Sequence, residues 1–223
     1  MGPDTIQQTV ARILNTFPEG VLLVAAAKTR TPEEAAEAID AGVTAIGHNY
    51  VQEAEQMIRV LGDRAKWHLI GHLQRNKVKK AIELFDMIES LDSWELAERI
   101  DRRCEAVGRV MSVLVEVNSG REPAKTGILP EEVDGLVRKL ADLRHLRVQG
   151  LMTMGPRFGD PEEARAYFRE TKAAFDRLTT ADLPNVEMRY LSMGMSNSYD
   201  VAIEEGANIV RIGTKLFGER DPG

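Results

Sequence analysis

Short apolar runs alternate with amphipathic stretches from one end of the chain to the other. The runs are Val21–Lys28, Ala45–Asn49, Trp67–His72, Met87–Leu91, Val110–Asn118, Leu146–Met154, Met188–Gly194 and Asn208–Gly213. They are rich in Val, Ile, Leu and Met, as strands buried on both faces are. The stretches between them read as helices. PEEAAEAIDAG has Pro32 in its first turn and Gly42 at its end, the usual asymmetry of helix termini. Stretches from Pro130 and Pro161 start the same way. SWELAERIDRRCEAVG opens on Ser93 as N-cap and closes at Gly108. Gln7–Phe17 reads as an extra helix before the first strand.

Eight strands, each but the last followed by a helix, predict a closed (β/α)8 barrel, with a doubly wound open sheet as the runner-up. The leading helix takes the place a terminal helix would fill. No Gly/Ser/Pro-rich linker, low-complexity segment or short repeat divides the sequence, so residues 1–223 read as one domain.

Composition narrows the classes. Of 223 residues, 43% are hydrophobic and 29% charged, as in a soluble globular protein. The net charge of −6 and the short basic stretch Arg75–Lys80 argue against a nucleic-acid face. No apolar run has membrane-spanning length, and MGPDTIQQTV lacks the regions of a secretion signal, so a cytoplasmic location is expected. The lone Cys104 excludes an internal disulfide and a multi-cysteine metal site. His48, His68, His72 and His145 form no metal-ligand pattern.

In such a barrel the chemistry lies at the C-terminal ends of the strands. Lys28 ends an apolar run there and shares its strand face with Val24 and Ala26. Such a lysine reads either as one reaching out to water or as an amine kept neutral by burial and able to attack a carbonyl. Asn49 ends the second strand and shares parity with Gly47. Arg211 and Gly213 share one face of the eighth. The segments SMGMSNS and Gly213–Thr214 offer glycines, hydroxyls and bare backbone N–H groups where barrels commonly bind phosphate. Neither is a P-loop, and either alone reads first as an ordinary turn. Together, facing Lys28, they suggest one ligand carrying an aldehyde and a phosphate. Glu116 and Asp200 are candidate paired acids, but no spacing brings them together. His68 reads as a satisfied core histidine, and Met152, Met154, Met193 and Met195 as packing around the mouth.

The strings AAAKT, GHNYVQEA, WHLIGHLQRNK, VNSGREPAKTGI, GLMTMG, LSMGMSNSYDVAIEEG and VRIGTKLFGER, in this order, resemble the pyridoxal-phosphate homeostasis family and span Ala25 to Arg220. The combination is specific, though each piece alone is not. The resemblance implies a TIM barrel of the alanine racemase N-terminal domain type, holding one pyridoxal 5'-phosphate. It implies Lys28 as the Schiff-base lysine, Ser196, Gly213 and Thr214 at the phosphate, Arg211 near the pyridine nitrogen and Asn49 near the ring. The chain departs from the family at His48, where a glutamate is usual, and at Ala27, where serine is common. Asn197 and Ser198 precede Asp200, where an acid usually comes early.

A permanently protonated guanidinium cannot protonate the ring nitrogen, so the cofactor would be a weak electron sink. No second domain that would supply a tyrosine base is expected. The expected function is therefore storage, buffering or delivery of pyridoxal phosphate, with apoenzymes as partners and no efficient catalysis. A monomer is expected, with a dimer as the alternative. A small racemase is the second reading, with Tyr50 and Tyr199 near the mouth. A cofactor-free aldolase acting through Lys28 is the third.

Overall fold

The eight apolar runs form eight parallel strands that close into a barrel in chain order, β1 to β8. The structure is a computed structural model that describes residues 4–155 and 159–219. Arg220, the last residue of the family-like strings, and the ends of the expected domain lie outside them. The strands are β1 Leu22–Ala26, β2 Ala45–His48, β3 Lys66–Leu69, β4 Met87–Leu91, β5 Met111–Val117, β6 Leu146–Thr153, β7 Val186–Ser192 and β8 Ile209–Ile212. Closure comes from β1 pairing with β8, with Leu22 opposite Ile209 and Ala25 opposite Ile212.

The nine α-helices of the described residues are α1 Ile6–Leu14, α2 Pro32–Asp40, α3 Val51–Leu61, α4 Val78–Leu84, α5 Trp94–Val107, α6 Val133–Leu140, α7 Arg165–Thr179, α8 Tyr199–Glu204 and α9 Thr214–Phe217. Local sequence sets their ends. Thr31 caps α2, its hydroxyl accepting from Glu34 N at 3.2 Å while Glu34 accepts from Thr31 N at 2.8 Å. Such a cap contributes about 1 kcal/mol. Gly108 ends α5 in the left-handed region at φ 64°. Three expectations shift. Pro130 and Pro161 open single 3₁₀ turns ahead of α6 and α7 rather than the α-helices themselves. Ser93 precedes α5 but its hydroxyl donates to Asp92 Oδ1 at 3.2 Å instead of capping. The last strand is followed by a helix, the short α9. The extra helix α1 packs against both α2 and α9, closing the outer ring.

Strand alternation sorts side chains into two layers. Val24, Ala45, Ile70, Met87, Leu114, Met152 and Ile209 fill the barrel interior. Leu23, Ala25, Ile46, Trp67, Leu69, Val113, Val210 and Ile212 face the helices. Gly47 faces inward, where a Cβ would meet Val24 Cγ1 at 2.8 Å and Ile70 Cδ1 at 2.9 Å. The interior is thus packed below, and its open end is the mouth formed by the C-terminal strand ends.

Candidate functional site

A cavity of about 380 Å³ opens at the mouth, lined by Ala26, Lys28, Asn49, Ile70, Met154, Met195, Ser196, Asn197, Arg211, Gly213 and Thr214. Every residue singled out for binding in the sequence is in this lining. They arrive from β1, β2, the β7–α8 turn and the end of β8, parts of the chain up to 186 residues apart (214 − 28).

Lys28 lies two residues beyond β1, half-buried. The turn that aims it is strained. Thr29 has φ 63°, in the left-handed region that costs a β-branched residue about 1–2 kcal/mol. That turn is held by Arg30 N donating to Ala27 O at 3.0 Å and Thr29 Oγ1 donating to Lys28 O at 2.6 Å. Lys28 Nζ stands 5.0 Å from the ring centroid of the exposed Tyr50.

Ser196 and Asn197 sit in the turn between β7 and α8. Gly194 makes that turn feasible, with φ 89° and a position where a Cβ would meet Ala202 Cβ at 2.6 Å. The Ser196 hydroxyl accepts from Gly213 N and from Lys215 N, each at 3.3 Å, so it ties the β7–α8 turn to the start of α9. Gly213 lies against β1, where a Cβ would come within 3.1 Å of Ala26 O. The result is a cradle of hydroxyls and close backbone suited to an anion.

Arg211 is the buried charge of the site, 3% exposed. Its guanidinium donates to Ser192 Oγ at 2.5 Å and to Thr153 O at 2.8 Å, and lies 3.9 Å from Glu89 Oε2. Ser192 passes the interaction on, donating to Glu89 Oε2 at 2.6 Å. His68 Nδ1 completes the chain, donating to Glu89 Oε1 at 2.7 Å. Burial alone would push the Glu89 carboxyl up, but the His68 bond and charge, then Arg211 and Ser192, hold it below its ordinary value. Burial pulls the Arg211 guanidinium down, opposed by Glu89 and then Glu116. It remains a cation, as arginine does in proteins. Inside the barrel a fixed positive charge thus faces the cavity, braced from β3, β4, β6 and β7.

Sequence reading missed Glu89, which hides in the apolar string MIESL. The available signal was a lone acid inside a strand buried on both faces. The core reading of His68 holds, with Glu89 as its partner. Met154 and Met195 line the cavity rather than merely pack around it. Tyr199, expected near the mouth, turns away: it is buried against Phe17 at 5.9 Å and accepts from Lys215 Nζ at 2.9 Å. Glu116 and Asp200 do not pair. Glu116 is buried, accepts from Thr126 Oγ1 at 2.9 Å through Oε1, and leaves Oε2 without a partner among the described residues. Burial pushes its carboxyl up, and Thr126 only partly offsets this. Asp200 is exposed on α8. His48 points to the helix layer, stacked on Trp67 with ring centroids 6.2 Å apart, so the departure at this position does not touch the cavity. Burial pulls its imidazole down to about 4. Burial likewise pushes the Cys104 thiol up to about 11, which keeps it unreactive. Among the described residues no group of three His, Cys, Asp or Glu can hold a metal ion. No described helix is long and apolar enough to cross a membrane.

Known proteins resemble this chain along nearly its whole length. Residues 3–221 match the family model described as alanine racemase, N-terminal domain. A pyridoxal phosphate homeostasis protein of Aquifex aeolicus is 44% identical over 199 residues, covering 89% of this chain and 86% of that one. Another, of Pasteurella multocida, is 35% identical over 230 residues, covering 97% of this chain and 98% of that one. The structure of PipY of Synechococcus elongatus with PLP bound matches with a TM-score of 0.88 at 35% identity, covering 96% of this chain and 100% of that one. An alanine racemase of Clostridium difficile, 20% identical with a TM-score of 0.77, shares the fold, and this chain covers 57% of it.

Proposed function

The chain belongs to the pyridoxal phosphate homeostasis protein family, and from that premise we propose that it binds pyridoxal phosphate at the barrel mouth for storage, buffering or delivery. The observation that carries this reading is the company one cavity keeps: an amine, a buried guanidinium and a hydroxyl-and-glycine cradle, in about 380 Å³. That volume suits a small cofactor, and the donor set fits its parts. When bound, pyridoxal phosphate supplies an aldehyde that condenses reversibly with a primary amine, with loss of water.

Lys28 offers that amine. Ser196, Gly213 and Thr214 hold the phosphate through hydroxyl and backbone donors. Arg211 spends donors on Ser192 and Thr153 and keeps others for the cavity it lines, where it serves the ring nitrogen. Being a cation with no readily released proton, it donates a hydrogen bond without protonating that nitrogen. The Asn49 amide is left for the ring's other polar substituents. A site built this way retains the cofactor without making it a strong electron acceptor, which supports a carrier over a catalyst. Apoenzymes are the proposed recipients, a monomer the proposed state and the cytoplasm the proposed location.

The test is the visible absorbance of the purified protein, followed by borohydride reduction and peptide mapping. The pyridoxyl label is expected on Lys28. Absence of a visible band, or a label on Lys125 or Lys215 instead, would overturn the reading. A visible band also removes the cofactor-free aldolase. One observation favours a second reading, an amino-acid racemase: Tyr50 Oη belongs to an exposed ring beside the Lys28 amine. Loss of optical activity from an amino acid at about 1 s⁻¹ or faster would promote it.

A further inference from the structure

A second cavity, of about 350 Å³, opens beside the first, between the ends of β2 and β3. Asn49 lines both. Tyr50 lines the second, and its ring is the same one that lies 5.0 Å from Lys28 Nζ. The other polar groups here are the amides of Gln52 and Gln74, the His72 imidazole and the Lys77 ammonium. No carboxylate lines the cavity, and those nearby are engaged. Asp92 accepts from His72 Nδ1 at 3.1 Å. Glu53, in the first turn of α3, accepts from Thr29 N at 3.4 Å. Glu55 is held by Lys80 at 2.9 Å and by Arg59 at 2.6 Å. Lys77 has no ion pair among the described residues, although Lys80 on the next turn has two. Lys77, Gln52 and Gln74 have no part in the first cavity.

We propose that this second cavity binds a small α-amino acid as the zwitterion. Its carboxylate lies on Lys77 and the amide N–H groups. Its ammonium lies toward the side-chain amide oxygens of Gln52 and Gln74. The lining matches that pattern of charge: one lysine for one carboxylate, and neutral amide acceptors for one ammonium. A phosphate carries nearly twice the charge and would call for a second cation or a bidentate arginine, and Lys77 is the one lysine or arginine in the lining. The amino acid then sits next to the Lys28 amine without competing for the cradle at Ser196 and Thr214. The inference does not depend on what fills the first cavity.

The test titrates glycine, L-alanine and L-glutamate into the full-length protein, cofactor-free and cofactor-loaded, following backbone amide NMR shifts. Inorganic phosphate is the comparator. Saturable shifts centred on Asn49, Gln52 and Gln74 are expected in both forms. Lys77→Met should weaken binding by about tenfold, the loss of one charge-assisted bond, and Lys77→Arg should retain it. Lys77 is half-buried and outside both apolar core clusters, so neither variant disturbs the core. Shifts centred on Ser196 and Thr214 would place the amino acid in the first cavity and overturn the proposal. So would phosphate binding more tightly at the same amides, unchanged affinity in Lys77→Met, or no saturable shift. A failed cofactor reading would appear instead as a missing visible band, with these titrations unaffected.

Discussion

Replacing Glu89 by leucine tests the central electrostatic claim, that Arg211 is usable as a cation because a carboxylate braces it. Glu89 is fully buried, accepts from His68 at 2.7 Å and Ser192 at 2.6 Å, and lies 3.9 Å from Arg211. The leucine fills much of the volume but strands a guanidinium that is 3% exposed. Removing one partner of a buried pair costs about 3–5 kcal/mol, mainly for the charge left behind. At this chain length that corresponds to a fall in Tm of roughly 6–20 °C. The comparator is Glu98→Gln, which breaks an exposed pair with Arg102 at 3.4 Å and should cost no more than about 1 kcal/mol. Pairing Glu89→Leu with Arg211→Met should recover much of the loss, because two apolar groups leave no stranded charge. Since the folded carboxyl titrates below its unfolded value of 4.5, its stabilisation is present above that pH. It is lost as pH falls through the folded value, so the penalty in Glu89→Leu should shrink in acid. Equilibrium urea denaturation measures each term. A change under about 1 kcal/mol in Glu89→Leu, or a double variant as unstable as the sum of the singles, would refute the brace.

Four further outcomes follow from the same geometry. Lys28→Ala should stay folded, because the half-buried amine packs little, yet lose the visible band and the borohydride label; a retained band would sink the attachment point. Thr214→Val should weaken binding of pyridoxal phosphate by about one to two orders of magnitude, the loss of a bond worth about 1.5–3 kcal/mol; equal affinity for pyridoxal and pyridoxal phosphate would refute the cradle. His48, about 4 when folded against 6.5 unfolded, gives stability that is complete above pH 6.5 and lost as pH falls toward 4. His48→Leu should flatten this acid slope by up to about 1.4 kcal/mol per pH unit, and an unchanged slope would count against it. Glu116→Gln should be more stable than the parent at neutral pH, since the native site favours the uncharged acid, and the gain should shrink as pH falls through the raised folded value and be gone below 4.5; denaturation at two pH values decides it.

Strand alternation and the one-sidedness of barrels made most of the first cavity legible. Lys28, Asn49, Arg211 and Gly213 follow from residue parity plus the rule that chemistry gathers at C-terminal strand ends. Parity also puts His48 opposite Asn49, and the structure turns it toward Trp67 and the helices. What stayed hidden depends on contacts across the barrel. Glu89 meets Ser192 across 103 positions in sequence, a distance no local pattern encodes. Lys77 enters the sequence reading only within the short basic stretch Arg75–Lys80, and the turn at Arg75–Lys77 sets it on the second cavity. The shifts in helix starts have no signature in the local string: Pro32 is followed by two acids and opens α2 directly, whereas Pro130 and Pro161, each also followed by two acids, open single 3₁₀ turns.

The cradle and the guanidinium are prepared to different degrees, and this bears on holding a cofactor that must also leave. Arg211 is fixed by short bonds to Ser192 and Thr153 and by the Glu89 charge, so the proposed ring contact needs no reorganisation. The proposed phosphate end is tied more loosely. Gly213 N and Lys215 N both donate to Ser196 Oγ at 3.3 Å, long contacts that a phosphate oxygen can replace with shorter charge-assisted ones. Entry therefore breaks weak bonds and makes strong ones, while departure lets the Ser196 hydroxyl take both donors back rather than leave them unpaired. A rigid ring contact with a self-satisfying phosphate cradle favours reversible loading, the property a reservoir needs.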